Sequence, residues 1–131
     1  MTIAIDFDGT IVEHKYPKIG KKLPFVFETL KALQDEGHIL ILWTYRSGEY
    51  LDEAVKFCRE NGIEFYAVNK NYPEEIYDDT ISRKILADLY IDDRNFNGFP
   101  GWGVIGQNIL DNSNDYQNNL TKKRGLFGRK K

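Results

Sequence analysis

The run Ile39-Leu40-Ile41-Leu42-Trp43 constrains the fold of this chain more than any other segment. It is apolar at every position, whereas a strand with one solvated face alternates apolar and polar side chains. Continuous apolar runs of this kind are typical of a central strand in a parallel sheet that is covered on both faces. The run therefore predicts a buried strand in an α/β fold.

Short apolar runs alternate with segments of helical period along the rest of the body of the chain. Further strands are predicted at residues 2–5, 63–68, 89–91 and 102–105. Helices are predicted at residues 24–36 and 47–61, each followed by a glycine that stops it. Strands that alternate with helices are typical of βαβ units. The sequence therefore predicts a three-layer, Rossmann-like parallel sheet.

The length of 131 residues, of which 41% are hydrophobic, is sufficient for about one domain. We assign residues 1–111 to that domain. The single Cys58 allows no internal disulfide. No apolar stretch reaches the ~18 residues that a membrane span needs, and no secretion signal precedes the first predicted strand. We therefore expect a cytoplasmic protein that does not associate with membranes.

The charge is unevenly distributed along the chain. Residues 1–111 contain 12 Lys/Arg against 19 Asp/Glu, whereas residues 112–131 contain 6 against 1. The second segment also follows an Asn-rich stretch, and we interpret it as a weakly ordered basic tail. Such a tail can contact nucleic acid or another anionic surface, but basic termini are more often simply solvated.

Polar side chains follow each of the first four predicted strands. The first strand ends at the motif Asp6-Phe7-Asp8-Gly9-Thr10, and the later strands are followed by Thr44 and Arg46, by Asn69, Lys70 and Asn71, and by Asp92, Asp93 and Arg94. Ligands of open parallel sheets bind at the carboxyl ends of the strands. Four acids gathered there repel one another unless a cation or protons compensate. The pattern predicts a functional site at this edge of the sheet.

With these residues in this order, the chain resembles the haloacid dehalogenase superfamily of aspartyl-phosphate-forming phosphohydrolases. The resemblance covers residues 1–106. The four motifs of that family are matched by the Asp6 to Thr10 motif, by the apolar strand ending in Thr44, by a lysine upstream of the last acidic pair, and by Asp92-Asp93. A DxD pattern alone is only moderately specific, but its position after a strand, with later motifs in order behind it, is much more so.

The resemblance implies a role for each matched residue. Asp6 would be the nucleophile that forms the aspartyl-phosphate, and Asp8 would be the general acid and base. Thr44 would bind the transferring phosphoryl group. Mg²⁺ would be held by Asp6, by the backbone carbonyl of Asp8 and by Asp92, with Asp93 sharing that duty or orienting a water. The sequence leaves open which of Asp92 and Asp93 is the direct ligand.

Each of the basic residues near the predicted site has two possible roles. Lys70 lies 22 residues before Asp92 and Lys84 lies eight before it, and both spacings occur in the family, so either lysine is a candidate for binding the phosphoryl group. The other is expected to be a surface lysine. Arg46 and Arg94 are candidates for binding a second part of the substrate, or for salt bridges that hold the acids in place.

Two loops are too short for the cap domain that many relatives carry. Residues 11–23 leave room only for a flap, formed by residues 13–22, and residues 71–83 leave only a short excursion. Capless relatives accept large substrates or oligomerise so that a neighbour supplies the lid. We interpret Trp43 as a core residue, and His14 as structural or solvent-exposed.

These observations predict a Mg²⁺-dependent phosphatase acting on a sugar phosphate, a nucleotide or a related small ester. A polynucleotide-end phosphatase is the alternative within this class, favoured by the open site and basic tail but opposed by the acidic body. A receiver-type phosphoacceptor domain is the alternative from a different class. Receivers also gather acids and a lysine at the edge of a parallel sheet, but they lack the DxDGT arrangement.

Overall fold

The computed structural model describes residues 1–110, and the predicted basic tail at 112–131 lies outside them. The elements in chain order are β1 (Thr2–Ile5), α1 (Val26–Asp35), β2 (Ile39–Leu42), α2 (Gly48–Glu60), β3 (Ala67–Val68), β4 (Leu89–Ile91) and α3 (Trp102–Leu110). All strand pairs are parallel, in the order β3-β2-β1-β4. This is the predicted Rossmann-like α/β fold, with β1 and β2 in the centre.

Two apolar clusters cover the two faces of this sheet. Ile3 and Ile5 of β1 belong to the larger cluster, which also contains the buried faces of all three helices. Ala4, which points to the opposite face, belongs to a smaller cluster with Ile41, Ala67 and Ile85. The helices therefore pack on one face, while residues 69–88 cover the other without a helix of their own.

The predicted fifth strand at 102–105 was wrong, because this segment begins α3. Trp102, Ile105 and Ile109 are buried, at the spacing of three and four residues that defines one face of a helix, while Val104 between them is 46% exposed. Gly106 lies against the Thr29 side chain of α1, which allows the two helices to pack closely. The contact with α1 thus favours a helix over a strand.

The third predicted strand was too long, because only Ala67 and Val68 of the predicted residues 63–68 pair as a strand. Ile63 is buried, but its backbone N–H donates to the Cys58 carbonyl, 2.9 Å away, and so completes the end of α2. Pairing with β2 starts only at Tyr66, whose N–H donates to Leu40 O at 2.9 Å.

No cap domain is present within residues 1–110. The flap is held against the motif loop by isolated bridges that join Val12 to Asp8 and to Lys22. The 69–88 segment contains turns but no helix or named strand. Within residues 1–110, no helix has both the length and the apolar character that a membrane crossing requires.

Candidate active site

Three carboxylates meet where β1 and β4 end. Asp6 follows β1, and Asp92 and Asp93 follow β4. Ile5 is paired with Ile91 in the parallel register, and the N–H of Asp6 donates to Ile91 O at 3.0 Å. One oxygen atom from each of the three carboxylates lies within 4.8 Å of the others. The sheet register therefore brings together acids that are more than 80 residues apart in the chain.

The electrostatics of this cluster favour a bound cation. The pKa of Asp6 is raised from 3.8 to about 7, mainly by burial and to a smaller extent by the nearby charges of Asp92, Asp93 and Asp8, while a backbone hydrogen bond from Phe7 lowers it. Three carboxylates form an oxygen donor set of the kind that Mg²⁺ prefers. The cluster therefore fits a hard divalent cation, which would compensate the mutual repulsion of the acids.

Gly9 and Thr10 fix the position of Asp93. Gly9 has a φ of +83°, and a Cβ atom at this position would overlap the Asp93 carboxylate. The N–H of Asp93 donates to Thr10 Oγ1 at 3.0 Å, and Trp102 Nε1 donates to Thr10 O at 2.6 Å. Asp93 therefore packs against Gly9 and Thr10, whereas Asp92 lines the adjacent cavity.

Asp8 forms a buried ion pair with Arg46. Nε and Nη2 of Arg46 each donate to a different oxygen of Asp8, both at 2.8 Å. Arg46 is only 1% exposed and makes two more hydrogen bonds, from Nη2 to Lys18 O at 2.9 Å and from Nη1 to Tyr50 O at 3.2 Å. Of the two roles left open for Arg46, the structure shows the salt bridge. Its guanidinium links the motif, the flap and α2.

A cavity of about 570 Å³ opens beside the carboxylates. Thr44, directly after β2, lines it, and its backbone N–H donates to Asn69 Oδ1 at 2.8 Å. Arg94 also lines it and has no ion pair with any residue in the described part of the chain. The complete lining consists of Asp6, Asp8, His14, Tyr16, Trp43, Thr44, Tyr45, Asp92 and Arg94. Of the four basic residues predicted near the site, Arg94 is the one that lines this cavity.

Neither candidate lysine lines the cavity. Lys70 Nζ lies 3.5 Å from Pro73 O and lines a separate cavity of about 320 Å³ with Arg83. Lys84 is exposed, and its ammonium lies 4.9 Å from the centroid of the Tyr90 ring. Neither lysine therefore lies beside Thr44 and the acids in the cavity.

The aromatic lining of the cavity was not predicted from the sequence. Trp43 is half-buried and packs against the smaller apolar cluster, as a core residue would, but it also lines the cavity. Tyr16 of the flap and the exposed Tyr45 line it as well, as does the exposed His14. Tyr45 could have been noticed because it directly follows Thr44 at the end of a central strand.

A comparison with solved structures gives an informative match. No family model matches the chain, and no curated protein matches it. Among solved structures, a conserved protein from Bacteroides thetaiotaomicron is 60% identical in sequence, with a TM-score of 0.80. The match covers 86% of this chain and 92% of that protein. At this identity and coverage, the chain belongs to the same protein family as the Bacteroides protein.

Proposed function

We propose that the protein is a Mg²⁺-dependent phosphomonoester hydrolase that forms an aspartyl-phosphate on Asp6. The observation that carries this proposal is the meeting of Asp6, Asp92 and Asp93 beside a cavity that Thr44 and Arg94 also line. The motif resemblance to the haloacid dehalogenase superfamily supports the same reaction. The substrate class is a small ester such as a sugar phosphate or a nucleotide.

The residues that would hold Mg²⁺ are Asp6, Asp92 and Asp93. When bound there, the ion would supply positive charge that offsets the repulsion among the carboxylates and between them and a phosphate. The raised pKa of Asp6 supports a bound cation, because burial and neighbouring acids disfavour the ionised form of Asp6 when no cation is present.

Asp6 acts as the nucleophile in this proposal. Its carboxylate oxygen bonds to phosphorus as the bond from phosphorus to the ester oxygen breaks. Thr44 and Arg94 bind the phosphoryl oxygens from the cavity wall, where they offer a hydroxyl group and a guanidinium group. Hydrolysis then breaks the bond between phosphorus and Asp6, which releases phosphate and restores the carboxylate.

Asp8 transfers the protons. It gives a proton to the leaving ester oxygen in the first step and takes one from the attacking water in the second. Arg46 is a positioning residue, because its two bonds to Asp8 fix the direction of that carboxylate. Both oxygens of Asp8 accept from Arg46. To act as the acid, Asp8 must therefore give up one of these hydrogen bonds and first take up from solvent the proton that it donates to the leaving oxygen.

The test is hydrolysis of an aryl phosphate by purified protein with Mg²⁺. We expect steady turnover by the wild type, its loss in EDTA, and a reduction by a factor of at least about 10³ in Asp6→Asn, which lacks the nucleophile. Asp52→Asn on the exposed face of α2 makes the same chemical change away from the site and serves as the control.

Two outcomes would contradict the proposal. One is an absence of turnover by metal-loaded protein across a broad panel of phosphate esters. The other is stable phosphorylation of the protein without turnover, which would favour the receiver-type alternative.

A further inference from the structure

Aromatic side chains make up an unusual share of the cavity lining. Tyr16, Trp43 and Tyr45 are three of the nine lining residues, whereas aromatic residues form 14% of the chain. They share this cavity with Asp6 and Asp92, so a ligand held by the acids lies next to several rings. A phosphate group alone has no use for such a wall, because it offers no apolar surface.

The tyrosines are held in place although they are exposed. The Tyr16 ring makes T-shaped contacts with the rings of Tyr45 and Tyr50, with centroids 6.0 and 5.8 Å apart, and the Arg46 guanidinium lies 5.1 Å from the Tyr16 centroid. Tyr45 is 88% exposed. An aromatic ring that is held by one neighbouring ring and is otherwise open to solvent can stack on a flat ligand. The exposed Tyr45 ring buries little apolar surface and so contributes little to the stability of the fold.

The aromatic rings and the acids occupy two parts of the same cavity. The Arg46 guanidinium lies 5.1 Å from the centroid of the Tyr16 ring, and its Nε lies 2.8 Å from Asp8 Oδ2. Tyr45 directly follows Thr44, and both residues line the cavity with Asp6 and Asp92. A ligand with a phosphate at one end and a flat ring at the other, as in a nucleotide, matches these two parts.

We propose that the cavity binds a nucleoside monophosphate, with its phosphate at Asp6, Thr44 and Arg94 and its base stacked on Tyr45. This inference rests on the proposed function and specifies its substrate. The cavity volume of about 570 Å³ is within the range of small-molecule sites, about 300 to 1,000 Å³. The excess of acidic over basic residues in 1–111 favours a free nucleotide over a polynucleotide, whose backbone it would repel.

The experiment compares nucleoside 5′-monophosphates with ribose 5-phosphate, which has the same ester but no base. We expect kcat/KM to be at least about 10-fold higher for the nucleotides, which is the order of a single base-stacking contact. Tyr45→Leu removes the ring but keeps apolar volume, and it should reduce this preference about 10-fold. Tyr45→Phe should keep it. Tyr66→Leu, at an exposed tyrosine away from the cavity, is the control for loss of an aromatic side chain.

A second measurement separates this inference from the proposed hydrolysis. Calorimetric titration of the Asp6→Asn protein with nucleoside monophosphate and with ribose 5-phosphate reports binding without turnover. Tighter binding of the nucleotide that Tyr45→Leu weakens supports the inference even if no ester is hydrolysed. Equal binding and equal kcat/KM for the two ligands would overturn it while leaving a sugar phosphatase intact. A preference for 5′-phosphorylated oligonucleotides over mononucleotides would also overturn it.

Discussion

Replacing Asp6 with asparagine should stabilise the protein at alkaline pH when no divalent cation is present. The change keeps the size of the side chain but removes a carboxylate that burial and neighbouring acids disfavour in its charged form. In the folded protein the pKa of Asp6 is raised from 3.8 to about 7. The wild type therefore loses stability as the pH rises from about 4 through about 7, because the unfolded chain releases this proton more readily than the folded one.

The shift of about three pKa units corresponds to about 4 kcal/mol at about 1.4 kcal/mol per unit. Asp6 is only partly buried, so solvent screening reduces the expected effect to about 2 kcal/mol. For a chain of this length, that is a difference in Tm of about 8 °C. The Tm of Asp6→Asn minus that of the wild type should therefore grow by about this amount between pH 4 and pH 8.

The assay is thermal unfolding in EDTA at a series of pH values, with Asp52→Asn as the matched control. A Tm difference between Asp6→Asn and the wild type that stays constant from pH 4 to pH 8 would refute the reasoning. Adding Mg²⁺ at pH 8 should raise the Tm of the wild type more than that of Asp6→Asn, because the variant has one carboxylate fewer to bind it.

Three further substitutions test the supports of the site. Arg46→Met should lower the free energy of unfolding by about 3 to 5 kcal/mol in chemical denaturation, because it leaves a buried carboxylate without its partner. Gly9→Ala should destabilise the protein more than Gly37→Ala, because both glycines have positive φ but only Gly9 packs on a carboxylate. Gly9→Ala should also abolish the binding of Mg²⁺, as measured by calorimetry. Trp102→Phe should cost about 1 to 3 kcal/mol of stability, because Thr10 O loses its buried donor.

The sequence predicted β1 and β4 well because their apolar runs end where charged residues begin. The bounds of β1 and β4 were predicted to the residue, and each is followed at once by aspartates. The segment that starts at Trp102 was misassigned because its local apolar residues fit either period. The segment forms a helix because its buried face packs against α1, and this tertiary contact cannot be read from the local sequence.

The candidate site was predictable to the extent that strand order determines it. The acids after β1 and β4 meet because parallel strands end at the same edge of the sheet. The placement of Tyr16 was not predictable in this way, since it depends on the path of the flap. The ion pair of Asp8 with Arg46 was only one of two readings, because residue type and spacing do not distinguish a ligand for substrate from a partner for an acid.

The links made by Arg46 limit how the chain could acquire a cap. Its guanidinium bonds the Lys18 carbonyl of the flap and the Asp8 carboxylate through the same nitrogen. The flap is also tight at Gly20, where a Cβ atom would overlap the backbone of Glu13. An insertion in this loop would displace the carbonyl and with it the support of the proton-transferring acid. A designed lid would therefore be better supplied as a separate chain than spliced into the flap.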